Sequence, residues 1–283
     1  MKTCDLHTHT TASDGSDTPR ALIEKAAEAG LSAVAVTDHD TTSGLEEARQ
    51  AAKATDVEFI PGVELSVNFH KGNMHMLGYF MDENDPGFKA VLDRVQRARA
   101  ERNPKILALL ESIGKPISME ELEELAQGGQ IGRPHIARAM VEKGYVKSVS
   151  QAFDKYLKRG AKAYAPKSIL SPKEAIEVIR GARGVPVLAH PFSLLTTSQE
   201  ELEAIVSELK DSGLMGLECY YSEHDDAFTS MCLGLAKKYE LVVTGGSDYH
   251  GKAKPHIKLG RGKGNLTIPY TCVESLEAAR ANV

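Results

Sequence analysis

Short apolar runs alternate with amphipathic stretches along the first sixty residues. Cys4 to His7 opens as a short apolar strand, and Leu22 to Ala29 has helical spacing closed by Gly30. Ala33 to Val36 reads as a buried strand, Leu45 to Ala54 as a helix and Val57 to Val63 as another strand, with one more at Met74 to Met81. After Pro86 the period changes. Residues 87–113, 118–126, 134–143 and 149–158 predict helices with Gly and Pro between them. Around Pro166 the strand–helix rhythm returns, with strands at Val185 to Ala189, Met215 to Cys219 and Leu241 to Thr244 and helices at 172–182, 199–212 and 226–239.

Repeated βα units imply an α/β fold with a mostly parallel sheet whose faces are covered by helices. Seven or so strands with helices between them fit a barrel better than an open sheet. The helical stretch then becomes an insertion, giving residues 1–85 and 166–283 to the barrel and 86–165 to a helical domain. The pattern contains no internal repeat and no low-complexity segment.

Composition narrows the class. At 283 residues with 42% hydrophobic and 26% charged side chains, the chain has a globular balance rather than a disordered or collagen-like one. No apolar run approaches the ~18 residues of a membrane span. The start, MKTCDLHTHT, has no apolar h-region, so it reads as mature sequence and a cytoplasmic location is expected. Cys4, Cys219, Cys232 and Cys272 lack C-x-x-C spacing and suit a reducing compartment as packing residues.

The net charge of −5 is unevenly placed. Residues 89–167 carry 16 basic and 9 acidic side chains, a net of +7, and the remainder carries 18 basic and 30 acidic, a net of −12. An acidic total argues against duplex DNA, which calls for a broad basic surface. It leaves room for a small anion on the basic segment.

Polar residues at strand ends carry the chemistry. D-L-H-T-H sets His7 and His9 two apart, on one side of a strand, and Asp14 follows in the loop. T-D-H-D places His39 after the second strand and G-V-E places Glu64 after the third. His75 lies in the next strand, A-H-P places His190, and G-S-D-Y-H places Asp248 and His250. A lone His at a strand end is usually a hydrogen-bonded structural residue. Six His and three acids at the carboxyl ends of successive strands are another matter, because parallel barrels gather their active sites at that face. So many buried polar groups without partners would be costly. Imidazole and carboxylate without thiolate select Zn, Mn or Fe(II), and nine donors suffice for two or three divalent ions with a bridging carboxylate.

The strings D-L-H-T-H-T, T-D-H-D, G-V-E, A-H-P and G-S-D-Y-H resemble the polymerase and histidinol phosphatase (PHP) family across nearly the whole chain. The resemblance implies a distorted TIM-like (β/α)7 barrel with a di- or trinuclear metal centre that hydrolyses phosphoesters. It implies that His7, His9, Glu64 and Asp248 serve a first metal, that Glu64 bridges to a second with His75 and His190, and that Asp14, His39 and His250 form a third set. Asp14 stands where several family members carry His. The nucleophile it implies is a hydroxide bridging two metals.

The insertion resembles that of the branch acting on nucleoside 3′,5′-bisphosphates, which releases the 3′-phosphate to give AMP and phosphate from the adenosine compound. Arg99 and Arg102 lie three apart on one side of a helix, and R-P-H supplies Arg133 and His135. The resemblance casts these four as phosphate-binding, a role that suits the planar fork of arginine. Lys155, Lys158 and Arg159 read as solvated, and His70, His224 and His256 as surface residues. Asp38 or Asp40 is a candidate acid for the leaving group. Rival readings are a histidinol-phosphate phosphatase, a 5′–3′ exoribonuclease on short single-stranded RNA, a C–N hydrolase, and a nucleotide- or metal-binding module without catalysis.

Overall fold

The apolar runs pair side by side in sequence order. A computed structural model describes residues 2–166, 170–264 and 266–283. Its strands are β1 (Cys4–Asp5), β2 (Ala33–Val36), β3 (Glu58–Val67), β4 (Met74–Tyr79), β5 (Val185–Leu188), β6 (Gly216–Tyr221) and β7 (Val242–Gly246), hydrogen-bonded in the order β1-β2-β3-β4-β5-β6-β7. The seam between the first and last strands is bridged by Leu6 N–H to the Gly245 carbonyl at 3.1 Å and Asp248 N–H to the His7 carbonyl at 2.9 Å. The sheet thus curls into a nearly closed barrel. Gly246 permits that approach, since a Cβ there would stand 2.1 Å from the Cβ of His7.

One strand runs against expectation. β4 is antiparallel to both β3 and β5, while the other pairs along the order are parallel. A hydrophobic pattern fixes which face of a strand is buried and carries nothing about its direction. The reversal brings the start of β4 to the same end of the barrel as the carboxyl ends of its neighbours.

Strand alternation divides the core in two. Cys4, Leu6, Ala33, Ala35, Ile60, Leu77, Val185 and Val187 pack together inside. They meet Cys272, Val273 and Leu276 of a last helix, α10 (Thr271–Arg280), which plugs one end and does not figure among the predicted elements. On the outer face Val34, Val36, Val63, Leu65, Leu188 and Leu217 pack under α1 (Pro19–Glu28), α2 (Leu45–Ala52), α7 (Pro172–Gly181), α8 (Gln199–Asp211) and α9 (Asp226–Lys238). Four of these five helices start where the sequence supplies caps: Thr18, Ser171, Ser198 and Asp225 each accept a hydrogen bond from the third residue beyond.

Between β4 and β5 lie α3 (Pro86–Ser112), α4 (Met119–Ala126), α5 (Arg133–Glu142) and α6 (Val149–Ala152). The last predicted helix of this stretch breaks early, continuing as a π turn over Phe153–Leu157. Ile106, Leu110, Ile117, Leu122, Ile136 and Met140 form a separate apolar cluster here. α3 belongs to both bodies. Its Phe88, Leu92 and Val95 join the coat of the barrel, and its Ile106 and Leu110 join the second cluster. Arg99, Arg102 and Asn103 fall between, where the helix passes the barrel mouth. No helix among the described residues is long and apolar enough to cross a membrane.

Candidate active site

All nine residues singled out at strand ends come together at one mouth of the barrel. Glu64, 1% exposed, is the hub. Its Oε1 lies 3.4 Å from His7 Nε2, 2.7 Å from His75 Nδ1 and 2.9 Å from His190 Nε2. Its Oε2 lies 3.3 Å from His9 Nε2 and 2.8 Å from His39 Nδ1. Asp248 Oδ1 is 3.4 Å from His9 Nε2, and Asp14 Oδ1 is 3.3 Å from His250 Nε2. His75 reaches the cluster from the start of β4, not from a strand's carboxyl end, because that strand is antiparallel. Asp14 arrives from the loop after β1.

The arrangement passes a test for divalent ions. His7 Nε2, His9 Nε2, His39 Nδ1 and Glu64 Oε2 are buried, close to one another, and without a hydrogen bond of proper geometry. Donor atoms from four overlapping sets lie within 4.8 Å of each other: His7, Glu64 and His190; His7, His9 and Asp248; His39, Glu64 and His75; and His9, Asp14, His39 and His250. Buried donor atoms converging on common points, four of them without a hydrogen bond, are what a metal centre requires.

A supporting shell fixes the imidazoles. His7 Nδ1 donates to Glu218 at 3.0 Å and His250 Nδ1 donates to the carbonyl of Asp248 at 2.8 Å, leaving each Nε2 lone pair for the centre. Glu218 is fully buried and also accepts the His190 N–H at 2.6 Å. It was not among the expected site residues. Alternation along β6 turns it inward, since Leu217 and Cys219 on either side face the helices. Tyr221 donates to Asp248 Oδ2 at 3.0 Å, its phenol pushed up by burial and by that carboxylate. Lys254 Nζ reaches the same oxygen at 2.7 Å. Strain gathers here too: Asp40, His190 and Asp248 hold positive φ of 54°, 24° and 58°.

The electrostatics are those of a cluster awaiting cations. Burial alone would push the carboxyls up, but neighbouring basic groups override it. His39 and His250 hold Asp14, His39 and His75 hold Glu64, and Lys254 and His250 hold Asp248, all well below the carboxylate range. Burial likewise opposes charge on His9, yet Asp248 and Glu64 raise it to about 9, while His39 is pushed down to about 4, burial dominating.

Beside this centre lies a buried cationic group. Arg99, Arg102 and His135 are 7%, 3% and 2% exposed. Arg99 pairs with Asp40 and lies 3.4 Å from Ser66 Oγ, Arg102 donates to Asn103 at 2.8 Å, and Arg133 donates to the Leu157 carbonyl at 3.1 Å. The Nε atoms of Arg99 and Arg102 have no partner. Burial and the charges of Arg99 and Arg133 push Arg102 down to about 9. His135 accepts the Gly132 N–H on Nδ1 at 3.0 Å, and burial keeps its ring below the usual imidazole range. Guanidiniums that repel one another and keep unused donors have the chemistry to take an anion. A cleft of about 490 Å3 opens alongside, lined by Ala12, Thr41, Ser43, Gln96, Arg99 and Asn103.

Three further residues named from the sequence take defined places. Asp38 accepts from Thr10 N–H, Thr10 Oγ1 and Ser13 Oγ at 2.8, 2.6 and 2.5 Å. Asp40 accepts from Ser66 N–H and Oγ at 2.7 and 2.8 Å and pairs with Arg99. Both carboxylates are engaged by these donors. His224 is not a surface residue. It is 5% exposed and wedged among Tyr221, Phe192 and Phe228.

A barrel of this topology, with imidazoles and carboxylates gathered for divalent ions and a buried arginine group beside them, fits a metal-dependent hydrolase of phosphate esters. The family model described as "PHP domain" matches residues 5–182, and the chain belongs to that family. It is 35% identical over 261 residues to a 5′-3′ exoribonuclease (Rnm) of Escherichia coli, covering 91% of this chain and 88% of that one. Over 252 residues it is 32% identical to a 3′,5′-nucleoside bisphosphate phosphatase of Chromobacterium violaceum, covering 88% of each. It is also 32% identical over 259 residues to a phosphoribosyl 1,2-cyclic phosphate 1,2-diphosphodiesterase of Eggerthella lenta, covering 89% and 97%. A solved structure from Bifidobacterium adolescentis, assigned as a metal-dependent phosphoesterase, superposes with a TM-score of 0.86 at 33% identity over 99% of this chain and 96% of that one. The chain is a metal-dependent phosphoesterase.

Proposed function

We propose that this enzyme hydrolyses the 3′-phosphate ester of nucleoside 3′,5′-bisphosphates, releasing a 5′-monophosphate, AMP from the adenosine compound, and inorganic phosphate. The observation that carries the reading is that a group of arginines, Arg99, Arg102 and Arg133, stands at the same barrel mouth as the nine-residue cluster. A substrate with two phosphates satisfies both. Histidinol phosphate brings one phosphate and an ammonium that the arginines repel, and a C–N hydrolase leaves the arginines without a task. One of the relatives described above is named for bisphosphate hydrolysis, which supports the same reading.

In this assignment His7, His9, Asp14, His39, Glu64, His75, His190, Asp248 and His250 hold two or three divalent ions, Mn, Zn or Fe. Bound there, such ions supply Lewis-acid charge at phosphorus and acidify water. Arg99, Arg102, Arg133 and His135, contributed by residues 86–165, hold the 5′-phosphate and fix the distance to the scissile ester. Glu218 keeps His7 in one tautomer, and Tyr221 and Lys254 keep Asp248 turned to the centre. Water adds to phosphorus, the bond from phosphorus to the 3′-oxygen breaks, and that oxygen leaves with a proton. The nucleoside rests in the cleft beside Arg99, whose size lies within the ~300–1,000 Å3 of small-molecule pockets.

The test is phosphate release from adenosine 3′,5′-bisphosphate in Mn2+, run beside histidinol phosphate. Turnover of the bisphosphate, abolished by EDTA and by Glu64→Ala, is the expected result. Preference for histidinol phosphate, or full activity in Glu64→Ala, would refute the assignment.

A further inference from the structure

Asp40 lies between the two halves of the site without belonging to the nine. It is fully buried in the loop after β2, at a φ of 54°, a left-handed conformation that Asp and Asn adopt more readily than most side chains. Four residues hold it there. Its N–H donates to the Glu64 carbonyl at 2.9 Å, and its own carbonyl accepts from Gln96 Nε2 at 2.9 Å. Ser66 N–H donates to Oδ1 at 2.7 Å, and Ser66 Oγ to Oδ2 at 2.8 Å. Arg99 Nη2 closes on that same Oδ2. A strained residue held by so many bonds points to a task at its position.

These bonds tie the strands of the centre to the arginine group. On the barrel side, Asp40 touches the backbone around three of the nine. His39 precedes it and Glu64 takes its N–H. Ser66 stands two residues beyond Glu64, on the same face of β3, and directly across from His75 in β4. On the other side, Gln96 and Arg99 sit three apart on α3, and both reach this one residue. The pair occupies one nitrogen of Arg99. Nη2 also lies 3.4 Å from Ser66 Oγ, Nε has no partner, and Nη1 lies by Gly132, where a Cβ would stand 3.0 Å from it. Gly132 caps α5, whose first turn carries Arg133 and His135. Arg99 is thus pinned to the barrel at one end of its fork and open toward that turn at the other. Like charges on Arg102 and Arg133 repel it, so the Asp40 carboxylate is what keeps the guanidinium in place.

We infer that Asp40 is a positioning residue that sets how strongly the enzyme selects substrates carrying a second phosphate. It fixes Arg99 at a set distance from the metal ligands, so that an ester at the centre and a 5′-phosphate at the arginine are met together. The inference rests on the proposed placement of the 5′-phosphate at Arg99. An arginine left loose has to be ordered when the anion binds, and that cost falls on substrates with a 5′-phosphate and not on those without one. The pair takes one of five guanidinium N–H groups, so donors for phosphate remain. Against this, a carboxylate near an anion repels it. One already matched by Arg99 and by two donors of Ser66 projects little charge beyond them, so the gain in position is the larger effect.

The experiment measures kcat/KM for adenosine 3′,5′-bisphosphate and for adenosine 3′-monophosphate in saturating Mn2+ and takes their ratio. The proteins are wild type, Asp40→Asn, Arg99→Met and the double variant. Asp40→Asn keeps the size and tolerates the positive φ, but turns an N–H donor toward Arg99 or Ser66 Oγ. It is expected to lower the ratio by about ten- to a hundredfold, mainly through KM, the range of a hydrogen bond to a charged group. In the Arg99→Met background it is expected to lower the ratio no further, because its effect passes through Arg99. Ser66→Ala removes one donor from the same carboxylate, is expected to lower the ratio by about two- to tenfold, and serves if Asp40→Asn does not fold. A ratio unchanged or raised in Asp40→Asn, or an additive fall in the double variant, overturns the inference. Titration with AMP against adenosine reads the same contact without turnover. Should wild type cleave neither ester, the proposed reaction fails, and an AMP preference lowered alike by Asp40→Asn and Arg99→Met still sustains the role of Asp40. No such preference, or one that Asp40→Asn leaves intact, overturns it.

Discussion

Single side chains decide whether the centre holds its ions. His9, raised to about 9 by Asp248 and Glu64 against its burial, carries a proton at pH 7 in the metal-free chain. A metal requires its lone pair, so the proton must leave. Loading with Mn2+ or Zn2+ is therefore expected to release protons at pH 7, and metal affinity to rise with pH until about 9. Calorimetry in buffers of different ionisation enthalpy checks this, and a heat independent of buffer would count against it. Glu218 acts one step further out. Glu218→Gln keeps the volume but weakens the orientation of His7, and is expected to cost about 10–100-fold in metal affinity with folding retained. Arg102 is costly for the fold and useful for the anion. Replacing it by Met removes a buried charge that Arg99 and Arg133 repel. The midpoint of thermal unfolding is expected to hold or rise, by about 2–4 °C for each kcal/mol gained. KM for the bisphosphate is expected to rise by about ten- to a hundredfold, the worth of one charge-assisted hydrogen bond of ~1.5–3 kcal/mol. A fall in melting temperature with KM unchanged would reverse that assignment.

At the scale of elements, the strands were legible because each apolar run ends abruptly in His, Asp or Glu, and a polar group there has few structural excuses. The direction of β4 was not legible, since alternation is the same read either way. His75 therefore found its place for a reason the pattern did not supply. Glu218 was hidden for a related reason. In L-E-C-Y-Y one acid reads as an ordinary break, and only pairing with β5 and β7 shows that it faces inward. His224 sits in S-E-H-D-D, a polar string, yet Phe192 from the turn after β5 and Phe228 from the first turn of α9 bury it. The arginines stand out in sequence by their three-residue spacing, but their pairing with Asp40 is a tertiary fact. One glycine ties the insertion to the barrel: a Cβ on Gly129 would stand 1.9 Å from the Thr11 carbonyl oxygen, while Gln130 N–H donates to the Ala12 carbonyl at 3.0 Å. Gly129→Ala is expected to push the two apart, costing about 1–3 kcal/mol in stability and weakening bisphosphate binding more than metal binding. Urea denaturation and a KM measurement read the two effects.

Over the whole molecule, the acidic sum of −5 hides a division of labour. The basic helical stretch and the acidic barrel meet at one mouth, and α3 crosses from one to the other with its arginines at the crossing. Two or three divalent ions would add +4 or +6, so the loaded mouth is far more positive than the bare chain. That is the field a doubly phosphorylated substrate needs, and it is focused by low-dielectric walls. The central claim is that the nine residues at this mouth hold the metals. It is tested most directly by anomalous scattering from crystals grown with Mn2+. The account expects anomalous peaks within about 2.0–2.3 Å of His and carboxylate donors among the nine, with Glu64 touching two of them. Peaks elsewhere, or none at this mouth in crystals of enzyme that is active in Mn2+, would contradict it.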